Sequence, residues 1–317
     1  MDDLQQAIEL LSRATRIVSP HDPKRHIFLS EFGRAYKRQY QKTGSRDLLS
    51  RALDIQEEAT QLCPVGHPDR HLCAFNLGDL ICERATANGT VDQLERATEF
   101  LRESLELRPH GHRDRHMSLN GLGVAYYTSF QLVGRIDELN AAFGYFETLL
   151  GLCIPGHPDR WKCVANLAVC LWHLSAMESN LDKLKLSIQY GREAVSLSSA
   201  ESPGRFVSVN GLALALIDLH NRTSDIDALE EALALRRETL ETIPPNHVLR
   251  PHALFNYASL MRDRFHSSDD PEDLSEAIRF CREAQTLLPS SQGFFYVSPC
   301  RFSRRSATKI RPVWAAC

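Results

Sequence analysis

His67, His112 and His157 stand 45 residues apart, with His247 further along the same series, and Asp69, Asp114 and Asp159 follow the first three by two positions. Imidazole and carboxylate both ligate zinc, so the series raises a metal reading. Ligands lie ~2 Å from zinc, which brings any two of them within about 4 Å of each other. Equivalent atoms of stacked helical repeats are separated by at least an interhelical distance of ~8–10 Å. The ladder therefore cannot share a metal from one repeat to the next. Its histidines are expected to cap junctions and hydrogen-bond between repeats, with no metal and no cofactor.

Two cysteine–histidine neighbours, Cys163 with His157 and Cys170 with His173, have the residue types of a nucleophile and its base. No third group is placed to orient either base, and cysteines at helix-packing positions act as small hydrophobes. The chain has no glycine-rich phosphate loop and no isolated carboxylate pair. No catalytic residue is assigned, and the expected class is a non-enzyme.

The elements that position these residues follow from a period of 45. Arg25, Arg70, Arg115, Arg160, Arg205 and Arg250 form an arithmetic series. Around three of them the junction is nearly the same: Gly66-His67-Pro68-Asp69-Arg70, Gly111-His112-Arg113-Asp114-Arg115 and Gly156-His157-Pro158-Asp159-Arg160. Periods of about 20–50 residues mark arrays in which each unit buries its apolar face by stacking on its neighbours. Two helices fit each unit. The first starts at the Pro-Asp-Arg segment and carries a small residue eight positions on (Gly33, Gly78, Gly123, Ala168, Ala213, Ala258), preceded by a large apolar one. The second is expected to be N-capped by Asp47, Asp92, Asp137, Asp182 or Asp227. It carries a small residue at 52, 97, 142, 187, 232 and 277. Gly44, Gly89 and Gly134 mark the turn between the two helices.

The pattern predicts helix from 2 to 288, broken near 20–23, 43–46, 64–68, 88–91 and their equivalents. A lone second helix (2–18) precedes units 24–68, 69–113, 114–158, 159–203, 204–248 and 249–289, and an irregular basic tail fills 290–317. That tail has no acid after Glu283 and carries Arg301, Arg304, Arg305, Lys309 and Arg311. A weaker 90-residue period is superposed, since Cys63 and Cys73 recur as Cys153 and Cys163. The array opens and closes inside a unit, which reads as a fragment or an imperfect gene model.

Composition fits a folded soluble chain, at 43% hydrophobic and 24% charged. A net charge of −3 and a pI near 6.5 give no nucleic-acid footprint. The acidic opening Met1-Asp2-Asp3-Leu4 is unlike a secretory signal, and no apolar run reaches the ~18–20 residues of a membrane span. Nine cysteines without a C-x-x-C pair suit a reducing compartment. The expected location is cytoplasmic.

These residues resemble the tetratricopeptide (TPR) family. Its leucine, glycine and tyrosine pattern appears as Leu122-Gly123 with Tyr126 and as Phe32-Gly33 with Tyr36, and its alanine with a terminal proline as Ala59 with Pro64. The departure is length, because the usual period is about 34. The Gly-His-Pro-Asp-Arg junction looks like fungal arrays that precede a CHAT domain, a caspase-like protease fold. The resemblance covers roughly 1–289 and implies an all-α, right-handed α-solenoid of about six helix-turn-helix repeats.

The resemblance also implies where partners bind. Ligand-facing positions of the family, counted from the small residue of the first helix, map onto Arg34, Lys37, Arg38, Phe75, Asp79, Glu83, Asn120, Val124 and Tyr127. Beyond them come Val169, Trp172, His173, Asn210, Leu214, Asp218, Phe255, Arg262 and Asp263. Aromatic anchors among scattered charges suit a groove for a protein or peptide partner, with no nucleic acid and no membrane. The expected function is a non-catalytic interaction scaffold. The alternative is the regulatory or sensor region of a larger CHAT-type protease or other effector.

Overall fold

The structure is a computed structural model that describes residues 3–199, 203–245, 247 and 249–287. The 290–317 tail and Leu288-Pro289 lie outside the described residues. Thirteen helices and no strand occur among the described residues: α1 (Asp3–Ile17), α2 (Arg25–Thr43), α3 (Arg46–Gln61), α4 (Arg70–Asn88), α5 (Asp92–Glu106), α6 (Arg115–Val133), α7 (Ile136–Leu152), α8 (Arg160–Glu178), α9 (Leu181–Leu197), α10 (Pro203–Thr223), α11 (Ile226–Thr242), α12 (Arg250–Ser268) and α13 (Pro271–Leu287). The chain divides into two compact units, Met1–Cys163 and Val164–Cys317.

In the first unit α2 packs on α3, α4 on α5 and α6 on α7, and each first helix also meets the next, α2 with α4 and α4 with α6. Three first helices thus form one layer. In the second unit α10 packs on α9 and α11, and α12 on α11 and α13. The fold is all-α, a helix-pair repeat of the α-solenoid class.

Junction turns explain the abrupt start of each first helix. Pro64 O accepts the His67 N–H at 2.9 Å, with Gly66 between them at φ 92°. Gly111 and Gly156 repeat that conformation at φ 89° and 91°. Positive φ at the third turn position is the type II arrangement that glycine favours. Arg70, Arg115 and Arg160 then begin helix as predicted.

The turn inside each pair is left-handed throughout. Gly44, Gly89 and Gly134 lie at φ 71°, 66° and 76°, and each closes the first helix by an amide bond to the carbonyl four residues back. The same register carries Ser179, Ser224 and Asp269 at φ 54°, 58° and 55°, so later repeats keep the turn without glycine.

The predicted N-caps are corrected. Asp47, Asp92, Asp137, Asp182 and Asp227 lie inside the first turn of the second helices. Side-chain capping comes two positions earlier, from Asn180 to the Asp182 and Lys183 amides and from Asp225 to the Ala228 amide. The displaced aspartates still complement the positive end of the helix dipole. Ser45, Val91 and Arg135 make no side-chain cap bond.

Small-against-large packing holds the pairs together. Ala52, Ala97, Ala142 and Ala232 are wholly buried, and Ser187 nearly so. A Cβ on Gly78 would stand 2.8 Å from Leu101 Cγ and 2.9 Å from the Ala97 carbonyl, so the helices approach to backbone contact there.

Candidate functional site

The repeated arginine is a three-way clamp. Arg70 Nη1 donates to the carbonyls of Thr60 (3.4 Å) and Cys63 (3.0 Å) at the end of α3, where the Thr60 carbonyl also accepts the Cys63 amide at 3.2 Å. Its Nε and Nη2 meet the Glu103 carboxylate of α5 at 2.7 and 2.8 Å. Arg25 repeats this with Thr15, Val18 and Glu58, Arg205 with Val195, Ser198 and Glu238, and Arg250 with Leu240, Ile243 and Glu283. One planar cation therefore caps the preceding helix and ties it to the following one, which suits the guanidinium fork. The sequence carried a signal for this, since Glu58, Glu103, Glu193, Glu238 and Glu283 share the register and only Thr148 breaks it.

The histidine ladder closes the same junctions. His67, His112 and His157 each accept the amide of the aspartate two residues on at 3.1 Å, and His247 accepts the Leu249 amide at 3.2 Å. A second series, His26, His71 and His116, was not recognised from the sequence. It brings non-equivalent histidines together: His26 with His67, His71 with His112 and His116 with His157, at ring centroid distances of 4.9, 5.3 and 5.2 Å. Only equivalent residues are held an interhelical distance apart, so these non-equivalent histidines can meet.

The face expected to bind partners is only partly open. Arg34 and Arg38 are exposed, with Arg34 paired to Glu31 at 2.6 Å. Lys37 turns instead to α4, where Asp79 and Glu83 hold it at 2.5 and 3.2 Å. Burial alone would lower its pKa, but the two carboxylates outweigh that and hold it above the usual lysine range. Lys37, Asp79 and Glu83 are thus an internal charge cluster, not separate basic and acidic patches. Phe75 lies half-buried under the Arg108 guanidinium, 5.1 Å from ring centroid to Cζ. Asn120 and Tyr127 are half-buried, and the Tyr127 hydroxyl accepts from Gln131 at 3.3 Å.

In the second unit Trp172 and His173 depart from the expected face. Both are 8% exposed, and Trp172 packs in the core with Leu184, Leu212 and Leu216. Their position in α8 is covered by the helices that follow, so neither presents a binding surface. Asn210 accepts from Asn256 at 3.0 Å. Asp218 holds Arg222 at 2.7 and 3.0 Å, Arg262 holds Asp263 at 2.8 and 3.1 Å, and Phe255 is half-buried against the core.

Burial opposes a nucleophile–base role for Cys170 with His173. Burial pushes the Cys170 thiol up and lowers the His173 imidazole to about 4. A thiolate and a protonated base need the opposite shifts.

An all-helical, helix-pair repeat protein is the class that this fold defines. Residues 207–249 match the tetratricopeptide repeat family model. Together with the 45-residue equivalences, the match makes the array TPR-like. Among solved structures, the chain is similar to a Podosopora anserina protein of nearly identical TPR-like repeats, at 18% identity and TM-score 0.49, covering 70% of this chain and 98% of that one. It is also similar to BtubC of P. vanneervenii (15%, TM-score 0.49, 82% and 96%) and to YrrB, a TPR protein with an unusual peptide-binding site (20%, TM-score 0.37, 74% and 93%). No curated protein matches. No described helix is long and apolar enough to cross a membrane.

Proposed function

We propose that the chain is a non-catalytic scaffold that holds an extended protein or peptide segment along the first-helix layer. The observation that carries this is the side-by-side contact of α2, α4 and α6, which repeats one helix face in fixed register. On that face Arg34 and Arg38 supply exposed positive charge, and Asn120 and Tyr127 supply a polar and an aromatic contact. In the second unit Asn210, Asp218, Phe255 and Arg262 stand at the equivalent sequence positions of its own first helices. A segment with acidic and aromatic residues is the complementary partner. The Gly-His-Pro-Asp-Arg junction supports a narrower version, in which the array is the sensing region of a CHAT-type effector.

Pull-down from cell extract followed by binding kinetics tests the reading. Arg34→Glu with Arg38→Glu slows association and flattens its salt dependence, because rim charges steer encounter. Tyr127→Ala speeds dissociation. Parent-like kinetics for both variants with every recovered partner would remove this face from consideration.

A further inference from the structure

The 90-residue recurrence carries four metal-ligating residues. His26, Cys63, His67 and Cys73 return, each 90 positions on, as His116, Cys153, His157 and Cys163. In the first set the ligand atoms of His26, Cys63 and His67 all lie within 4.8 Å of one another, and the Sγ atoms of Cys63 and Cys73 are 3.1 Å apart. Both cysteines are wholly buried and His26 is 4% exposed. Tetrahedral zinc, with Zn–S ~2.3 Å and Zn–N ~2.0–2.1 Å, needs ligand atoms about 3.3–3.8 Å apart. His26, Cys63 and His67 approach that geometry, and Cys73 joins them through its 3.1 Å contact with Cys63 Sγ.

The junction between the two sets is a natural comparison. Where they have cysteines, it has Arg108 and Ser118. Arg108 is wholly buried and donates to Ser118 Oγ at 2.9 Å and to the Asp114 carbonyl at 3.2 Å, while its Nε and Nη2 have no partner. This location in the repeat thus accommodates a buried cation. In the middle junction that cation is covalently part of the chain, which disfavours a metal on the neighbouring His71, His112 and Asp114. In the flanking junctions two thiols replace it.

We propose that His26, Cys63, His67 and Cys73 form a structural zinc(II) site that staples α2 to the α3–α4 junction. Zinc displaces two thiol protons to solvent, and the two thiolates balance its charge, so the filled site is neutral and suited to burial. On binding, His26 exchanges its 2.9 Å contact with the Asp69 carboxylate for the metal. His67 coordinates through Nε2 and gives up its bond from the Asp69 amide. A disulfide between the cysteines would leave both histidines unexplained.

The test uses the full chain purified under reducing conditions. Cobalt(II) is expected to give thiolate-to-metal charge-transfer absorption that zinc(II) bleaches. After gel filtration the parent retains one more equivalent of zinc than the Cys63→Ser, Cys73→Ser double variant. Serine at these buried positions can weaken the fold, so the half-exposed His67→Gln provides a second measure, with zinc affinity reduced at least about tenfold. Absence of the charge-transfer band, equal zinc in parent and double variant, or a Cys63–Cys73 disulfide in protein from reducing cells overturns the proposal.

Discussion

Phe146 of α7 lies over the Cα of Gly123 in α6. A Cβ at position 123 would stand 2.7 Å from the ring's Cζ and 2.8 Å from Cδ1. The phenylalanine is 1% exposed and cannot retreat into solvent. The absent side chain of one helix is therefore the space that the other helix fills.

Gly123→Leu is expected to destabilise the fold by roughly 2–4 kcal/mol through overpacking. Phe146→Ala alone costs about 3–5 kcal/mol by leaving a cavity. The double variant should cost clearly less than the sum, because the new leucine occupies part of that cavity. Denaturant unfolding of the four proteins measures the coupling, and simple additivity would contradict the contact.

The arginine clamp predicts a difference between two arginines with similar ion pairs. Arg70→Met should cost about 2 kcal/mol, since it strands the buried Cys63 carbonyl and removes the fork from Glu103. Arg70→Lys recovers only part, having no fork to span both sides. Arg135 pairs with Glu138 at 2.5 Å but is 64% exposed, and Arg135→Ala should cost under ~0.5 kcal/mol. Equal thermal shifts would contradict the clamp.

Trp172→Ala should behave as a core deletion and lower stability by ~3–5 kcal/mol. A variant that keeps its stability but releases a bound partner would return Trp172 to the binding face.

His173 predicts an acid limb. Its folded pKa is about 4, below the ~6.5 of an unfolded histidine, so the unfolded chain binds the extra proton. The stabilising contribution is complete above about pH 6.5 and is lost as pH falls through about 4. Over that window roughly 3 kcal/mol disappears. His173→Gln should flatten the stability profile there, and an unchanged slope would contradict a buried neutral imidazole.

How much was legible depended on what a period can encode. It identifies equivalent residues, so the helix pairs, the small positions at 78 and 97 and the left-handed turns at 44, 89 and 134 could all be read from the chain. It does not say which non-equivalent residues meet. His26 and His67 are 41 positions apart and join only because α2 packs beside the next junction. Trp172 shares its register with half-buried Lys37 and Tyr127 but also with buried Cys82, so the period alone could not say which way it faces. Lys37 read as a ligand-facing charge because the two acids that hold it, Asp79 and Glu83, lie on a different helix.

The left-handed turns have a mechanical consequence. Glycine adopts φ near +70° without penalty, whereas Ser179, Ser224 and Asp269 hold it at about 1–2 kcal/mol each. Every turn up to Gly134 is relaxed, and every one after it is loaded. Pulled from its two ends, such a chain should behave as springs of unequal stiffness in series. The hairpins closed by serine and aspartate would yield at lower force, while those closed by glycine stay folded and keep α2, α4 and α6 in register.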